Sequence, residues 1–233
     1  MIEKGITSKN RRKVFALNYL NYLVYNLCTY KNNFSDLDIA WFKNVMEVYF
    51  DITEKNNPII SDCRALYYRV YSKSKVTKHY SNRSSIITKS NIQMDSYYAL
   101  FMKRRSIRYY LPLKVDKKLI MKCLNLAFNS PSACNRLPYR YIVLQTKSII
   151  DTYLKLSPGA SSFANQVHNV IVAIGDYSAF DLEKDNKTIY IDTSLSIMAL
   201  VNAFHAANLG SCCINWPSTY TNDQKSRSIL NLR

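Results

Sequence analysis

The chain has 233 residues, 48% of them hydrophobic, enough to bury a substantial core in one large domain or two small ones, which excludes an intrinsically disordered polypeptide. Lys and Arg total 32 against 16 acidic residues, a formal charge of +16 that brings nucleic acid, anionic membranes and phosphorylated ligands into view as partners. The excess is even along the chain, +8 before Asp95 and +8 from it onward, so no basic tail stands apart from a neutral body.

In the first 90 residues the pattern is helical. Val14 to Cys28 carries Phe15, Leu17, Leu20, Val24 and Leu27 at near-helical spacing, and Leu37 to Ile52 follows Asp36, a candidate N-cap. A third helix, rich in Tyr and Arg, is expected over Ser61 to Ser72. No chemical motif accompanies these helices, and their expected task is packing. The apolar stretch at Val14 to Cys28 is broken by Asn18, Asn21 and Asn26 and is shorter than the roughly 20 residues that span a bilayer, so no integral membrane segment is expected. Arg11, Arg12 and Lys13 flank it and leave an interfacial helix as the alternative. From Lys73 to Gln93 the composition turns polar, marking a linker.

From Asp95 the pattern mixes helix and strand. A short helix over Asp95 to Lys103 feeds a basic cluster; Asp116 then caps Lys117 to Asn129, whose apolar face holds Leu119, Ile120, Cys123, Leu124, Ala127 and Phe128. A turn at 129–138 leads to a strand at Tyr139 to Gln145, a helix at Ser148 to Leu156 and a buried, β-branched strand at Val170 to Ile174. The last elements are a long helix from Asp192 to Asn208, with Gly210 as its C′ residue, and a short strand over Cys212 to Asn215.

Six cysteines, Cys28, Cys63, Cys123, Cys134, Cys212 and Cys213, are scattered without C-x-x-C spacing and without a preceding secretory signal, which reads as free thiols in a reducing cytoplasm. His79, His168 and His205 lie far from any cysteine at metal-ligand spacing, and no metal site is expected. The candidate binding residues form three short segments. Arg104, Arg105, Ser106 and Arg108 gather three guanidinium groups and a hydroxyl, a donor set suited to phosphate oxygens, although an Arg-rich helix end is more often a solvated face. In Pro131-Ser132-Ala133-Cys134-Asn135, proline stops the helix, and Ser132 and Asn135 can bond either the turn backbone or a ligand; the Asn135 amide both donates and accepts. Ile214-Asn215-Trp216 follows Gly210 near the end of the sequence. No Cys-His or Ser-His-Asp set is evident, so no catalytic side chain is assigned.

The order of these parts is more specific than any one of them. Arg104-Arg105-Ser106-Ile107-Arg108, an intervening helix, Pro131-Ser132-Ala133 with Asn135 and Pro138, two strands, and a long helix closing on Leu209-Gly210-Ser211-Cys212 together resemble the nitroreductase family from Asp95 to about Arg233. The resemblance implies an α+β, three-layer fold with a central, mainly antiparallel sheet flanked by helices, here preceded by a helical region at 1–90. It implies an intertwined homodimer with FMN at each subunit interface, the flavin carrying two electrons from NAD(P)H, as co-substrate, to a small conjugated acceptor such as a nitroaromatic or quinone. By the same resemblance Arg104, Arg105, Ser106 and Arg108 would hold the FMN phosphate and ribityl chain. Pro131, Ser132, Ala133 and Asn135 would approach the flavin from the partner subunit, Ile214, Asn215 and Trp216 would lie beside the ring, and the Asp192 to Asn208 helix would form much of the interface. Leu137 stands where the family more often has Gln, and the sequence stops at Arg233 where relatives usually continue with a strand and a further basic residue.

Two other readings stay open on residues alone. One is a non-catalytic relative serving assembly or partner binding, with weak or no flavin binding. The other is a nucleic-acid or membrane-surface binder, supported by charge and by 19 tyrosines, but the tyrosines are scattered and no RNP-like or helix-turn-helix pattern goes with them, so no nucleic-acid partner is expected.

Overall fold

The computed structural model describes residues 2–8, 10–73, 90–180 and 185–232, in two units, Met1–Ser90 and Asn91–Arg233. The stretch expected as a linker, Lys73 to Gln93, falls mostly on 74–89, outside the described residues.

The first unit contains α1 (Ile2–Thr7), α2 (Leu17–Thr29), α3 (Asp36–Ile52) and α4 (Pro58–Val70). Helix α2 starts three residues later than its apolar pattern suggests, because Ala16 sits in the left-handed region at φ 67°. Helix α3 is capped by Ser35 rather than Asp36: the Ser35 hydroxyl accepts from the Asp38 N–H at 3.3 Å and the Asp38 carboxylate accepts from the Ser35 N–H at 3.2 Å, a reciprocal capping box. Helix α4 starts before the expected Ser61, with Asn57 accepting from the Ile60 N–H and Pro58 in the first turn, where its missing N–H costs nothing. Leu20 and Val24, Met46, Tyr49 and Phe50, and Ile60 and Tyr67 meet in a fully buried core from α2, α3 and α4. The Tyr49 and Tyr71 phenols donate to the carbonyls of Phe15 (2.8 Å) and Leu27 (2.6 Å), satisfying polar ends that burial would otherwise penalise.

The second unit contains α5 (Met94–Lys103), α6 (Lys117–Ala127), β1 (Tyr139–Leu144), α7 (Lys147–Leu154), β2 (Val170–Gly175), α8 (Thr188–Ala206) and α9 (Tyr220–Ile229). Strands β1 and β2 pair antiparallel, with Tyr141 opposite Ala173, Ile142 opposite Val172 and Val143 opposite Ile171. Alternation then divides the side chains between two faces. Tyr141, Val143 and Ile171 pack with Ile120, Cys123 and Leu124 of α6 and Leu200 of α8. Ile142, Leu144, Val170 and Val172 pack with Ile150 and Tyr153 of α7, Ile229 at the end of α9, and the inward side chains Cys212, Ile214 and Trp216. A small antiparallel sheet between two helical layers is the expected α+β arrangement.

Several local expectations are corrected. Val170 to Ile174 is half-buried rather than buried, since β2 has only β1 beside it among the described residues. Cys212 to Asn215 forms no strand; what exists is a single parallel bridge between Ser106 and Ser211. Helix α8 begins at Thr188, and its left-handed C′ residue is Asn208 (φ 57°), not Gly210. The Asn208 N–H donates to the His205 carbonyl (3.0 Å) and the Leu209 N–H to the Phe204 carbonyl (2.8 Å), the paired bonds of a Schellman end. Helix α9 is so polar that the apolar pattern gave no sign of it; the Thr219 hydroxyl caps it by accepting from the Asn222 N–H.

Candidate functional site

Helix α5 ends at Lys103, and the chain continues extended alongside residues 210–212. Ser106 bridges Ser211, and the Ile107 N–H donates to the Ser211 carbonyl at 3.0 Å. Gly210 makes that approach possible: a Cβ there would lie 3.0, 3.1 and 3.2 Å from three carbons of Ile107. The basic segment and the Gly210 to Trp216 segment, separated by about a hundred residues in sequence, therefore run side by side. Tyr110 pins the same segment, its hydroxyl donating to the Ile107 carbonyl at 2.6 Å. Burial first, then Cys212, push its phenol up to about 12, with Arg108 opposing.

The basic side chains divide by task. Arg105 turns back on α5, its Nη1 donating to the carbonyls of Met102 (2.6 Å) and Arg104 (2.8 Å), so it caps the helix that precedes it. Among the described residues Arg104 and Arg108 make no hydrogen bond or ion pair with the protein, and the Ser106 hydroxyl is likewise unengaged and exposed. Two guanidinium groups and a hydroxyl are thus available for an anionic group, a smaller set than the sequence pattern offers.

The Pro131 to Pro138 loop is a strained turn. Cys134, Asn135 and Leu137 all have left-handed backbone, at φ 54°, 54° and 47°, without being glycine. The Ser132 hydroxyl oxygen accepts from the Leu137 N–H at 2.8 Å, which leaves its own hydrogen to donate elsewhere. Asn135 is exposed, and its side-chain amide has no protein partner among the described residues. The loop is moored by Asp192 of α8, whose Oδ2 accepts from the Ala133 N–H at 2.9 Å, and by Arg136, which donates to the Ala179 carbonyl at 2.7 Å with its guanidinium 4.9 Å from the Phe180 ring. Sequence reasoning missed both moorings. The one available signal was an acidic residue inside the apolar run Tyr190-Ile191-Asp192, which was read as the start of the helix.

A groove of about 1330 Å³ opens between the Ile107 to Val115 segment, β2, one side of α8 and residues 208–216. Thr193 of α8 lines it, with a buried hydroxyl oxygen that has no hydrogen-bond partner among the described residues. Ile214, Asn215 and Trp216 also line it, but the Trp216 ring is committed to the core: it stacks on Tyr153 with centroids 5.6 Å apart, and its Nε1 donates to Asp223 at 2.7 Å. What that segment can offer a ligand is backbone and the exposed Asn215. Residues 131–135 do not line the groove. The fold therefore brings two of the three candidate segments together within one chain and holds the third on another side of α8.

Helix α8 exposes Tyr190, Ile191, Leu195 and Met198 by 65, 58, 44 and 40%. Beside it α5, which buries no residue, exposes Tyr97, Tyr98 and Met102. By length and composition alone α8 could cross a membrane, but it packs on α6 and β2, and the uncovered apolar strip has the character of an interaction surface.

Residues 101–172 match the family model described as the nitroreductase family. A curated relative from Methanothermobacter thermautotrophicus, named "Putative NADH dehydrogenase/NAD(P)H nitroreductase", is 28% identical over 158 residues, covering 68% of this chain and 75% of the relative. The solved structure of an FMN-dependent nitroreductase from Clostridium difficile matches with a TM-score of 0.51 at 25% identity, over 58% of this chain and 79% of that one. The second unit thus has the fold of the nitroreductase family, and residues 101–172 within it match that family's model.

Proposed function

We propose that the second unit binds FMN and, as a homodimer, passes two electrons from NAD(P)H to a small conjugated acceptor such as a nitroaromatic or quinone. The observation that carries this reading is the Ser106–Ser211 bridge, which sets the segment bearing unengaged Arg104, Ser106 and Arg108 beside residues 210–216; Ile107 and 210–216 line the groove, and the two guanidinium groups and the hydroxyl flank Ile107 in the chain. The donor set fits a planar, phosphorylated group. Arg104 and Arg108 would take phosphate oxygens, the Ser106 hydroxyl would donate beside them, and the backbone of Ile214 to Trp216 would face the ring. The orphaned Thr193 hydroxyl is a further donor on the groove wall.

When bound, FMN would supply the two-electron chemistry, and no protein general base is needed. The protein's part would be to hold charge and shape: two guanidinium groups would oppose the phosphate, and the largely apolar groove would receive the ring. The groove exceeds the roughly 300–1,000 Å³ of ordinary ligand pockets, leaving room for chain from a second subunit. A second copy laid along the apolar strip of α8 would also bring Ser132 and Asn135 to a groove they do not reach in their own subunit. Six free cysteines accord with a reducing cytoplasm.

A second reading, a non-catalytic assembly protein, is favoured by the commitment of Arg105 to α5 and of Trp216 to the core. Purified protein separates the two. The redox reading expects flavin absorbance and NAD(P)H oxidation that depends on an added acceptor. Colourless protein that oxidises neither nucleotide after incubation with FMN selects the assembly role.

A further inference from the structure

Asp192 is only 3% exposed, and the redox reading gives its carboxylate no task. A carboxylate removed from water needs donors, and among the described residues its donor is the Ala133 N–H at 2.9 Å. Ala133 opens the turn in which Cys134 and Asn135 take left-handed backbone, with Leu137 following. Such backbone persists only where the surroundings over-determine it. The bonds from Asn135 and Leu137 to Ser132 lie within the loop, and Arg136 ties it to Ala179. Toward α8 it has, among the described residues, two ties, a long one from the Ser130 hydroxyl to the Leu195 carbonyl at 3.4 Å, and the bond to Asp192. The second is charge-assisted and the stronger.

We infer that Asp192 is a positioning residue for the flavin-facing loop: by fixing the Ala133 amide it sets where the Ser132 hydroxyl and the Asn135 amide point. The inference rests on the flavin reading above. Because Asp192 lies on the helix proposed to carry the subunit interface, it couples α8 to the loop offered to the partner's flavin. A shift of α8 on dimer formation would pass directly to Ser132 and Asn135.

The test uses the full chain with Asp192→Ala, Asp192→Asn, Ala133→Pro and Ser196→Ala. Ala133→Pro removes the donor from the other side of the bond, and Ser132, extended at φ −141° and ψ 150°, accepts a following proline, so this variant serves if Asp192→Ala fails to fold. Ser196→Ala, one turn along α8, deletes bonds to Tyr141 and the Ala127 carbonyl without touching the loop. FMN titration is paired with amide hydrogen exchange over 131–137. Asp192→Ala and Ala133→Pro are expected to weaken FMN about tenfold or more and to strip exchange protection from the loop, as loss of a bond to a charged group implies. Asp192→Asn, which keeps an acceptor oxygen, retains most of both, and Ser196→Ala lowers the melting temperature while keeping FMN affinity. Unchanged affinity and protection in Asp192→Ala or Ala133→Pro, with the parent binding FMN, overturns the inference alone. Equal weakening by Ser196→Ala does the same, since it indicates general loosening of α8. A parent that takes up no FMN sinks the flavin reading and the inference with it.

Discussion

Gly210→Ala tests the meeting of the two segments most sharply. The added methyl would sit 3.0 Å from Ile107 Cγ2, 3.1 Å from Cβ and 3.2 Å from Cγ1, where carbon contacts settle near about 3.5–4.0 Å. Gly210 does not have positive φ, so the substitution carries no backbone penalty and the effect is purely steric. Ile107 cannot swing clear, because it is β-branched and its Cβ is itself one of the crowded atoms. The strands of chain must separate by several tenths of an ångström, stretching the bond from the Ile107 N–H to the Ser211 carbonyl. Overpacking of this kind costs about 1–3 kcal/mol, with up to about 1 more if that bond is lost. For a chain of this size each kcal/mol lowers the melting temperature by about 2–4 °C, so a fall of about 2–16 °C is expected in the absence of flavin. Ile107→Ala removes two of the three crowded carbons. The double variant Ile107→Ala/Gly210→Ala should then be more stable than the sum of the single losses predicts. A Gly210→Ala protein as stable as the parent, or strictly additive losses in the double variant, would refute the steric account of the bridge.

Replacing Arg104 or Arg108 by Ala should weaken FMN about 10- to 100-fold in an equilibrium titration, with a shallower salt dependence, whereas Arg105→Ala should do less because Arg105 caps α5; equal losses at all three would contradict that division. Ile191→Glu places charge on the exposed strip of α8 and should shift the proposed dimer to monomer in sedimentation, with monomer stability changed by about 0.5 kcal/mol or less. Tyr110 holds its proton to about 12 in the fold, against 10.0 for an ordinary phenol, so its stabilising share is complete below pH 10.0 and is lost as pH rises toward 12; Tyr110→Phe should flatten that alkaline decline in denaturant melts. Asp223→Ala frees the Trp216 indole N–H and should red-shift and weaken its emission, and an unchanged spectrum would mean that the Trp216–Tyr153 stack holds without Asp223.

Much of the second unit was readable from residues because its signals are local. Asp116 caps α6 as its position suggests, and the alternation in Tyr139 to Gln145 and the β-branched run Val170 to Ile174 mark two strands before any pairing is known. Boundaries failed where a nearby residue caps better than the one chosen, as Ser35 does beside Asp36 and Asn57 before Ser61. Gly210 was identified as special for the wrong reason. Helix termination falls to Asn208, and the glycine serves a contact with Ile107 that no sequence window could contain. The site divided in the same way: residue type suggested which side chains could bind an anion, but only the fold reveals that Arg105 turns back on α5 and Trp216 is committed to Tyr153 and Asp223. Asp192 was hidden because its role depends on Ala133, far from it in sequence.

The most direct measurement is the stoichiometry and affinity of FMN for the purified full chain, by equilibrium dialysis with the oligomeric state followed in the same samples. The account predicts saturable uptake of one FMN per chain by a dimer, lost in Ile191→Glu as subunits separate. A stable, folded dimer that takes up no FMN would contradict it.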